Sequence, residues 1–112
     1  MSVLLEQGSS WLEDEGCRLV VTGEVGFEVA SAMAEAGRAW LAELADGSEV
    51  VFDLSGVERV SSAALSVLLE WSRQARDVGV EVVSVRLSAP LERLTRLAGL
   101  DTLLPLGEAA TA

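Results

Sequence analysis

Histidine, lysine and tyrosine are absent from this 112-residue sequence, and all eight basic residues are arginine. Without histidine, the chain lacks the side chain that most often serves as a general base or a metal ligand. Without lysine, it can form neither a Walker-type phosphate loop nor a Schiff base. The segment Gly23-x-x-Gly26 is too short for a dinucleotide-binding fingerprint. These absences predict a protein with no metal site and no cofactor.

A small α/β enzyme or nucleotide binder is the interpretation that these absences weaken most. Ser61 and Ser62 could supply nucleophiles, and Asp53 and Glu58 could supply carboxylates. However, no histidine or lysine is present to activate them in the usual ways. We therefore expect no catalytic residue, and calorimetry with ATP and GTP would test this directly.

Cysteine is nearly absent as well, since Cys17 is the only one. A single cysteine excludes an internal disulfide and a cysteine-cluster zinc site. Its place in an apolar run predicts a buried structural thiol, which is consistent with a reducing cytoplasm. The sequence also lacks a signal peptide and the run of ~18 apolar residues that would span a bilayer. We therefore expect a cytoplasmic protein that does not insert into a membrane and meets one only through a partner.

The charge is strongly acidic, with a formal net charge of -10 and a sequence pI near 4.3. Nucleic acid is therefore not expected as a partner, because binding by counterion release requires a basic face. Half of the residues are hydrophobic and 23% are charged, which is typical of a folded domain. We predict one domain over residues 1–112, with loose ends at 1–8 and 107–112.

Hydrophobic periodicity predicts the order β-β-α-β-α-β-α and leaves a further short strand open at Leu103–Leu106. The predicted strands lie at 9–12, 17–22, 49–54 and 80–87, and the predicted helices at 27–44, 62–78 and 88–99. A turn at 13–16 would make the first two strands a hairpin. Strands that alternate with helices favour parallel pairing. The expected fold is a small α/β domain whose sheet has four or five strands and is mixed but largely parallel.

The stretch from Val50 to Leu69 is the strongest candidate for a working site. A buried strand is expected to end at Asp53–Ser55, and residues 56–60 would form a loop into a helix that begins with two serines. In open α/β sheets, ligands and partners are usually met at such carboxyl ends of strands. Ser61 or Ser62 is expected to cap the helix, and a serine at this position could also carry an anion.

One side of this predicted second helix is apolar and must pack on the sheet, whereas the opposite side is polar. Leu69 lies at the border of the polar side, near Ser62, Ser66 and Arg73 on a helical wheel. Ala63 adds a small residue in the first turn that another backbone could approach closely. The polar side is therefore a candidate docking surface.

The segments Asp53-Leu54-Ser55 and Val60-Ser61-Ser62-Ala63-Ala64-Leu65, in this order of elements, resemble the STAS domain family. Val21-Thr22-Gly23-Glu24-Val25 is similar to the family's strand exit before the first helix, and Leu97-Ala98-Gly99-Leu100 to its usual ending. The resemblance extends from about Trp11 to Leu106. Members of the family include anti-sigma factor antagonists and the small STAS subunit of phospholipid-transport (Mla) ABC complexes.

Two positions separate these branches. In anti-sigma factor antagonists, a partner kinase phosphorylates the serine that aligns with Ala63, and Ala63 has no hydroxyl. The Mla-type subunit has serine or threonine at the position of Ser62, followed by small residues and a leucine-rich helix. The resemblance therefore implies a protein that binds the cytoplasmic ATPase subunit of the transporter and supports its activity in maintaining outer-membrane lipid asymmetry.

An anti-sigma factor antagonist that acts by binding alone is the alternative, with Ser62 or Ser61 as the hydroxyl that a kinase could still modify. The sequence leaves open whether the domain also forms a homodimer. Ten residues are expected to contact the partner, six from the helix and four from neighbouring loops. They are Ser61, Ser62, Ala63, Ser66, Leu69 and Arg73, with a rim of Glu24, Phe27, Glu58 and Arg59.

Overall fold

The computed structural model describes residues 2–59, 61–100, 102 and 104, and for Glu58 and Arg59 the backbone alone. These residues form a five-stranded mixed sheet and three helices. In chain order the elements are β1 (Ser2–Gln7), β2 (Ser10–Glu15), β3 (Arg18–Glu24), α1 (Phe27–Ala42), β4 (Glu49–Arg59), α2 (Ser62–Asp77), β5 (Glu81–Leu87) and α3 (Ala89–Leu97). Among the described helices, none is long and apolar enough to cross a membrane.

The strands lie side by side in their chain order, from β1 to β5. The β1–β2 and β2–β3 pairs are antiparallel, whereas β3–β4 and β4–β5 are parallel. Parallel neighbours need a long crossover, which α1 and α2 provide. The predicted small α/β fold with an N-terminal hairpin and three helices is confirmed.

The N-terminal region differs from the sequence prediction, because Ser2–Gln7 is an edge strand rather than a loose end. The chain turns at Gly8, whose φ of 61° suits glycine, and β1 then pairs antiparallel with β2. Leu4 and Leu5 pack against the core. The second hairpin turns at Gly16 and Cys17, so Cys17 is exposed and the prediction of a buried thiol is wrong.

The strand β4 is longer than predicted, because residues 56–59 continue it rather than form a loop. A shift in register lets Gly56 pair with Thr22 and Val57 with Gly23. A Cβ on Gly56 would lie 2.8 Å from the Thr22 side chain, so the absence of a side chain permits this close pairing. Val57 is completely buried, which ties the extension to the core.

The core lies between the sheet and the two long helices, and Trp71 of α2 is at its centre. Its ring is completely buried and lies 5.4 Å from the ring of Phe52 on β4, measured between centroids. The indole Nε1–H donates a hydrogen bond to the Ala34 carbonyl of α1 at 3.2 Å. At Gly37 of α1, a Cβ would come within 2.1 Å of that nitrogen. Gly37 therefore allows α1 to pack directly on the indole.

Candidate partner-binding surface

The start of α2 is joined to the loop that precedes α1 by one hydrogen bond. The Ser61 hydroxyl donates to the Val25 carbonyl at 2.6 Å, across 36 positions of sequence. Val25 follows β3 and Ser61 follows β4, and these strands are parallel neighbours. Their carboxyl ends therefore bring the β3–α1 loop and the first turn of α2 to the same edge of the sheet.

Ser61 occupies the N-cap position of α2 by its extended backbone, with φ -148° and ψ 158°, but its side chain makes no capping hydrogen bond. The expectation that a serine side chain caps this helix is therefore wrong for Ser61. The hydroxyl instead donates to the Val25 carbonyl, and in the orientation that this bond requires its oxygen accepts no hydrogen bond from the first turn of the helix. The sequence could not indicate this choice, because the acceptor lies in a distant segment.

Replacement of Ser61 by alanine is expected to lower the free energy of unfolding by about 1 kcal/mol, the usual value of one intramolecular hydrogen bond. Ser62→Ala is the matched control, because Ser62 is exposed and its hydroxyl loss should change stability by less than about 0.5 kcal/mol. Urea denaturation of the three proteins would measure both values. Equal stability of the Ser61→Ala variant and the parent would contradict the assigned bond.

The predicted polar side of α2 forms an outward stripe. Ser62, Ser66 and Arg73 are exposed and Leu69 is half-buried, and the Ser66 hydroxyl donates to the Ser62 carbonyl at 3.2 Å. Ala63 differs from its expected place, because only 1% of its surface is exposed. It points inward, one position round the helix from Ser62. A partner could contact Ser62, Ser66, Leu69 and Arg73 together, but not the Ala63 side chain.

The rim residues divide into two groups. Glu24 and Phe27 are exposed on either side of the buried Val25, and 73% of the Phe27 side chain is accessible. Glu58 and Arg59 end β4 instead of lying in a loop, and their side chains lie outside the described residues. An exposed phenylalanine beside the first turn of α2 is an unusually apolar feature for an acidic surface, and aromatic residues are enriched at interfaces.

Arg73 is held in place by an ion-pair network that links the two long helices. The carboxylate of Glu70 is 3.0 Å from Arg73 and 3.3 Å from Arg38 of α1, and Arg38 also contacts Glu35 at 2.7 Å. Exposed pairs of this kind add little stability. The Glu70 carboxylate thus lies between one arginine of each long helix.

Asp53 does not reach this surface, although it lies on the strand that leads to it. Its carboxylate accepts hydrogen bonds from the Ser55 backbone N–H at 3.0 Å and from the Ser55 hydroxyl at 2.6 Å, and lies 3.6 Å from Arg18. The hydrogen bond and charge of Glu15 raise the pKa of Arg18, which is charged in any case. Asp53 is thus engaged in local contacts. Among the described residues, no group of acidic or cysteine side chains could hold a metal ion.

A shallow groove next to the stripe was not singled out by the sequence pattern. It has a volume of about 320 Å³ and lies between α2 and the chain that follows α3. Arg76 could have been found, because it falls beside Leu69 on the helical wheel. The opposite wall could not, since it comes from a distant segment. The lining residues are Leu69, Ser72, Arg73, Arg76, Leu100 and Leu104.

Comparison with known proteins agrees with this architecture. The family model described as "Mlab, STAS domain" matches residues 11–105. The crystal structure of an anti-sigma factor antagonist from Mycobacterium paratuberculosis is similar, with a TM-score of 0.63 and 29% sequence identity over 88% of this chain and 84% of the other. No curated protein matches the sequence.

STAS domains of these two kinds are in general non-catalytic and bind other proteins. The family match covers most of the chain, including both hairpin strands β2 and β3, the two long helices and the first turn of α2. The chain therefore belongs to the MlaB-type STAS domain family.

Proposed function

We propose that this protein is a non-catalytic subunit that binds the cytoplasmic ATPase of a phospholipid-transport ABC transporter. In this role it supports the transporter in maintaining outer-membrane lipid asymmetry. It is cytoplasmic, without a cofactor, and reaches the inner membrane through the ATPase. The contact surface is the outward stripe of α2 with the exposed Glu24 and Phe27 beside it.

The observation that carries the proposal is the first turn of α2. The Ser62 side chain is exposed, whereas Ala63 and Ala64 after it are buried, so Ser62 and Ser66 are the side chains that this end of α2 offers to a partner. Phe27 is exposed two residues after Val25, whose carbonyl accepts the Ser61 hydrogen bond, and it is the apolar side chain of the surface. The family match to MlaB-type domains supports the choice of an ABC transporter as the partner system. A stable complex buries about 800 Å² per partner, which needs the stripe and its rim together.

An anti-sigma factor antagonist is the second candidate, because a protein of that description shares 29% identity with this chain. The aligned phosphorylation position is Ala63, which has no hydroxyl and is 1% exposed. A switch by phosphorylation there would require both a different residue and a different orientation. This candidate therefore acts by competitive binding, with Ser62 as the exposed hydroxyl that a kinase could reach.

Two parallel experiments distinguish the candidates. The purified chain is mixed with the ATPase subunit of the transporter from the same genome, and co-elution in size-exclusion chromatography is expected. It is also incubated with an anti-sigma kinase and ATP, followed by mass spectrometry, and no phosphate is expected. A phosphate on Ser61 or Ser62 together with absence of ATPase binding would reverse the assignment.

A further inference from the structure

The groove beside the outward stripe has an apolar floor and a basic edge. Leu69 is half-buried, Leu104 is 6% exposed and Leu100 is half-buried. Arg73 and Arg76, both exposed, follow Leu69 at four and seven positions, so they extend the wall along about two turns of α2. Among the described residues, Arg73 pairs with Glu70 and Arg76 has no ion pair. A positive charge at the edge of the groove is thus available to a ligand.

This basic edge contrasts with the rest of the chain. Residues 1–70 contain three arginines and thirteen acidic residues, whereas residues 71–112 contain five of each. The whole net charge of -10 therefore belongs to the first part of the chain. An acidic ligand would be repelled by the first part of the chain, and the exposed Arg73 and Arg76 of α2 would attract it at the groove. The two arginines at the edge of the groove therefore favour an acidic ligand over a basic one.

We infer that the groove binds a short acidic segment of the partner protein that carries leucine, isoleucine or methionine. The apolar side chain would lie on Leu69, Leu100 and Leu104, and aspartate or glutamate would pair with Arg76 and Arg73. This inference rests on the proposed function, because the groove is continuous with the stripe through Leu69 and Arg73. It adds Arg76, Leu100 and Leu104 to the contact surface and defines the chemistry of the ligand.

A second copy of the chain is a less suitable occupant. Among the described residues, the large apolar side chains that are exposed are Val3, Phe27, Val83 and Leu97, one each from β1, α1, β5 and α3. Two copies would also bring together two net charges of -10. A second copy is therefore not expected to occupy the groove.

The first experiment measures association with the ATPase subunit by surface plasmon resonance. Arg76→Glu is expected to slow association about tenfold at low salt and less at 0.5 M NaCl, because charges at the edge of an interface act mainly on association. Arg93→Glu is the matched control, since Arg93 is exposed on α3 and does not line the groove. If Arg76→Glu and Arg93→Glu behave alike while Ser62→Arg prevents binding, the groove inference is overturned and the proposed function stands.

The second experiment does not depend on the ATPase. A synthetic amphipathic peptide of glutamate and leucine is titrated into the isotope-labelled protein and followed by NMR, with a lysine–leucine peptide as control. Shifts confined to α2 and residues 100–104, lost in Arg76→Glu, are expected for the glutamate peptide alone. Equal shifts with the lysine peptide, or a concentration-dependent dimer that Arg76→Glu removes, would contradict the inference. If the ATPase does not bind at all, the proposed function fails. The titration then tests by itself whether the groove binds an acidic segment.

Discussion

Replacement of Ser62 by arginine is expected to abolish binding of the ATPase subunit while the domain stays folded. Ser62 is exposed at the start of α2, and the residues that follow it are small. A long charged side chain there would hold the partner away from Leu69 and Phe27, the apolar residues of the surface. Loss at the centre of an interface typically costs about 2 kcal/mol or more, so we expect affinity to fall at least about thirtyfold.

Folding should tolerate the same change. Exposed substitutions usually alter stability by less than about 0.5 kcal/mol, with a small added penalty for a positive charge at a helix N-terminus. Ala42→Arg is the control, because Ala42 is exposed and ends α1 about 22 Å along the helix from Phe27. Circular dichroism would verify the fold and plasmon resonance the binding. Undiminished binding by Ser62→Arg would show that the ATPase subunit does not bind the outward stripe of α2.

Ala63 cannot serve as a second test position of this kind. A bulky group at Ala63 would be expected to block a partner if the side chain faced outward. Because Ala63 is 1% exposed, a larger side chain there would instead disturb the packing of α2 on the core. Loss of binding by such a variant would not distinguish a blocked surface from a disrupted helix.

Replacement of Trp71 by alanine is expected to lower the free energy of unfolding by about 3–5 kcal/mol, the usual range for a buried tryptophan. The indole is completely buried, contacts Phe52 and lies against Gly37, where no side chain can move in to fill the space. Domains of this size are typically stable by about 5–15 kcal/mol, so the variant would be close to unfolding. Guanidinium denaturation would measure the change.

Trp71→Phe is the matched variant, because it keeps an aromatic ring beside Phe52 but removes the indole N–H that donates to Ala34. Its loss should be smaller, about 1–2 kcal/mol, from one hydrogen bond and a smaller cavity. If Trp71→Ala were as stable as Trp71→Phe, an aromatic ring at this position would not contribute to the stability of the core. The same variants should leave the exposed stripe of α2 chemically unchanged.

The sequence predicted the helices well because their periodicity is local. The predicted second helix at 62–78 is observed at Ser62–Asp77, and the first begins at Phe27 as expected. The edge strand β1 was missed although Gly8–Ser9 follows an apolar run, which is a hairpin signal. An isolated hairpin is barely stable in water. The strand β1 is stabilised by the packing of Leu4 and Leu5 against the core, which a local pattern does not indicate.

The candidate site was predicted in part because helical periodicity is a local property of the sequence. A helical wheel places Ser62, Ser66, Leu69 and Arg73 on one side, and the structure has them on the outward stripe. The wheel could not orient Ala63, which lies at the border where only the neighbouring elements decide burial. Nor could it indicate that the Ser61 hydroxyl bonds to Val25, since 36 residues separate them in the chain.

Composition and local pattern were enough to predict a small α/β domain of the STAS type, since the alternation of strands and helices and the short motifs are properties of the chain alone. Long-range contacts decided the rest: the extension of β4 beside Thr22, the exposure of Cys17, and the groove between Arg76 and Leu104. Each depends on which distant segments come together, and burial and hydrogen bonding across such segments arise only when the chain folds.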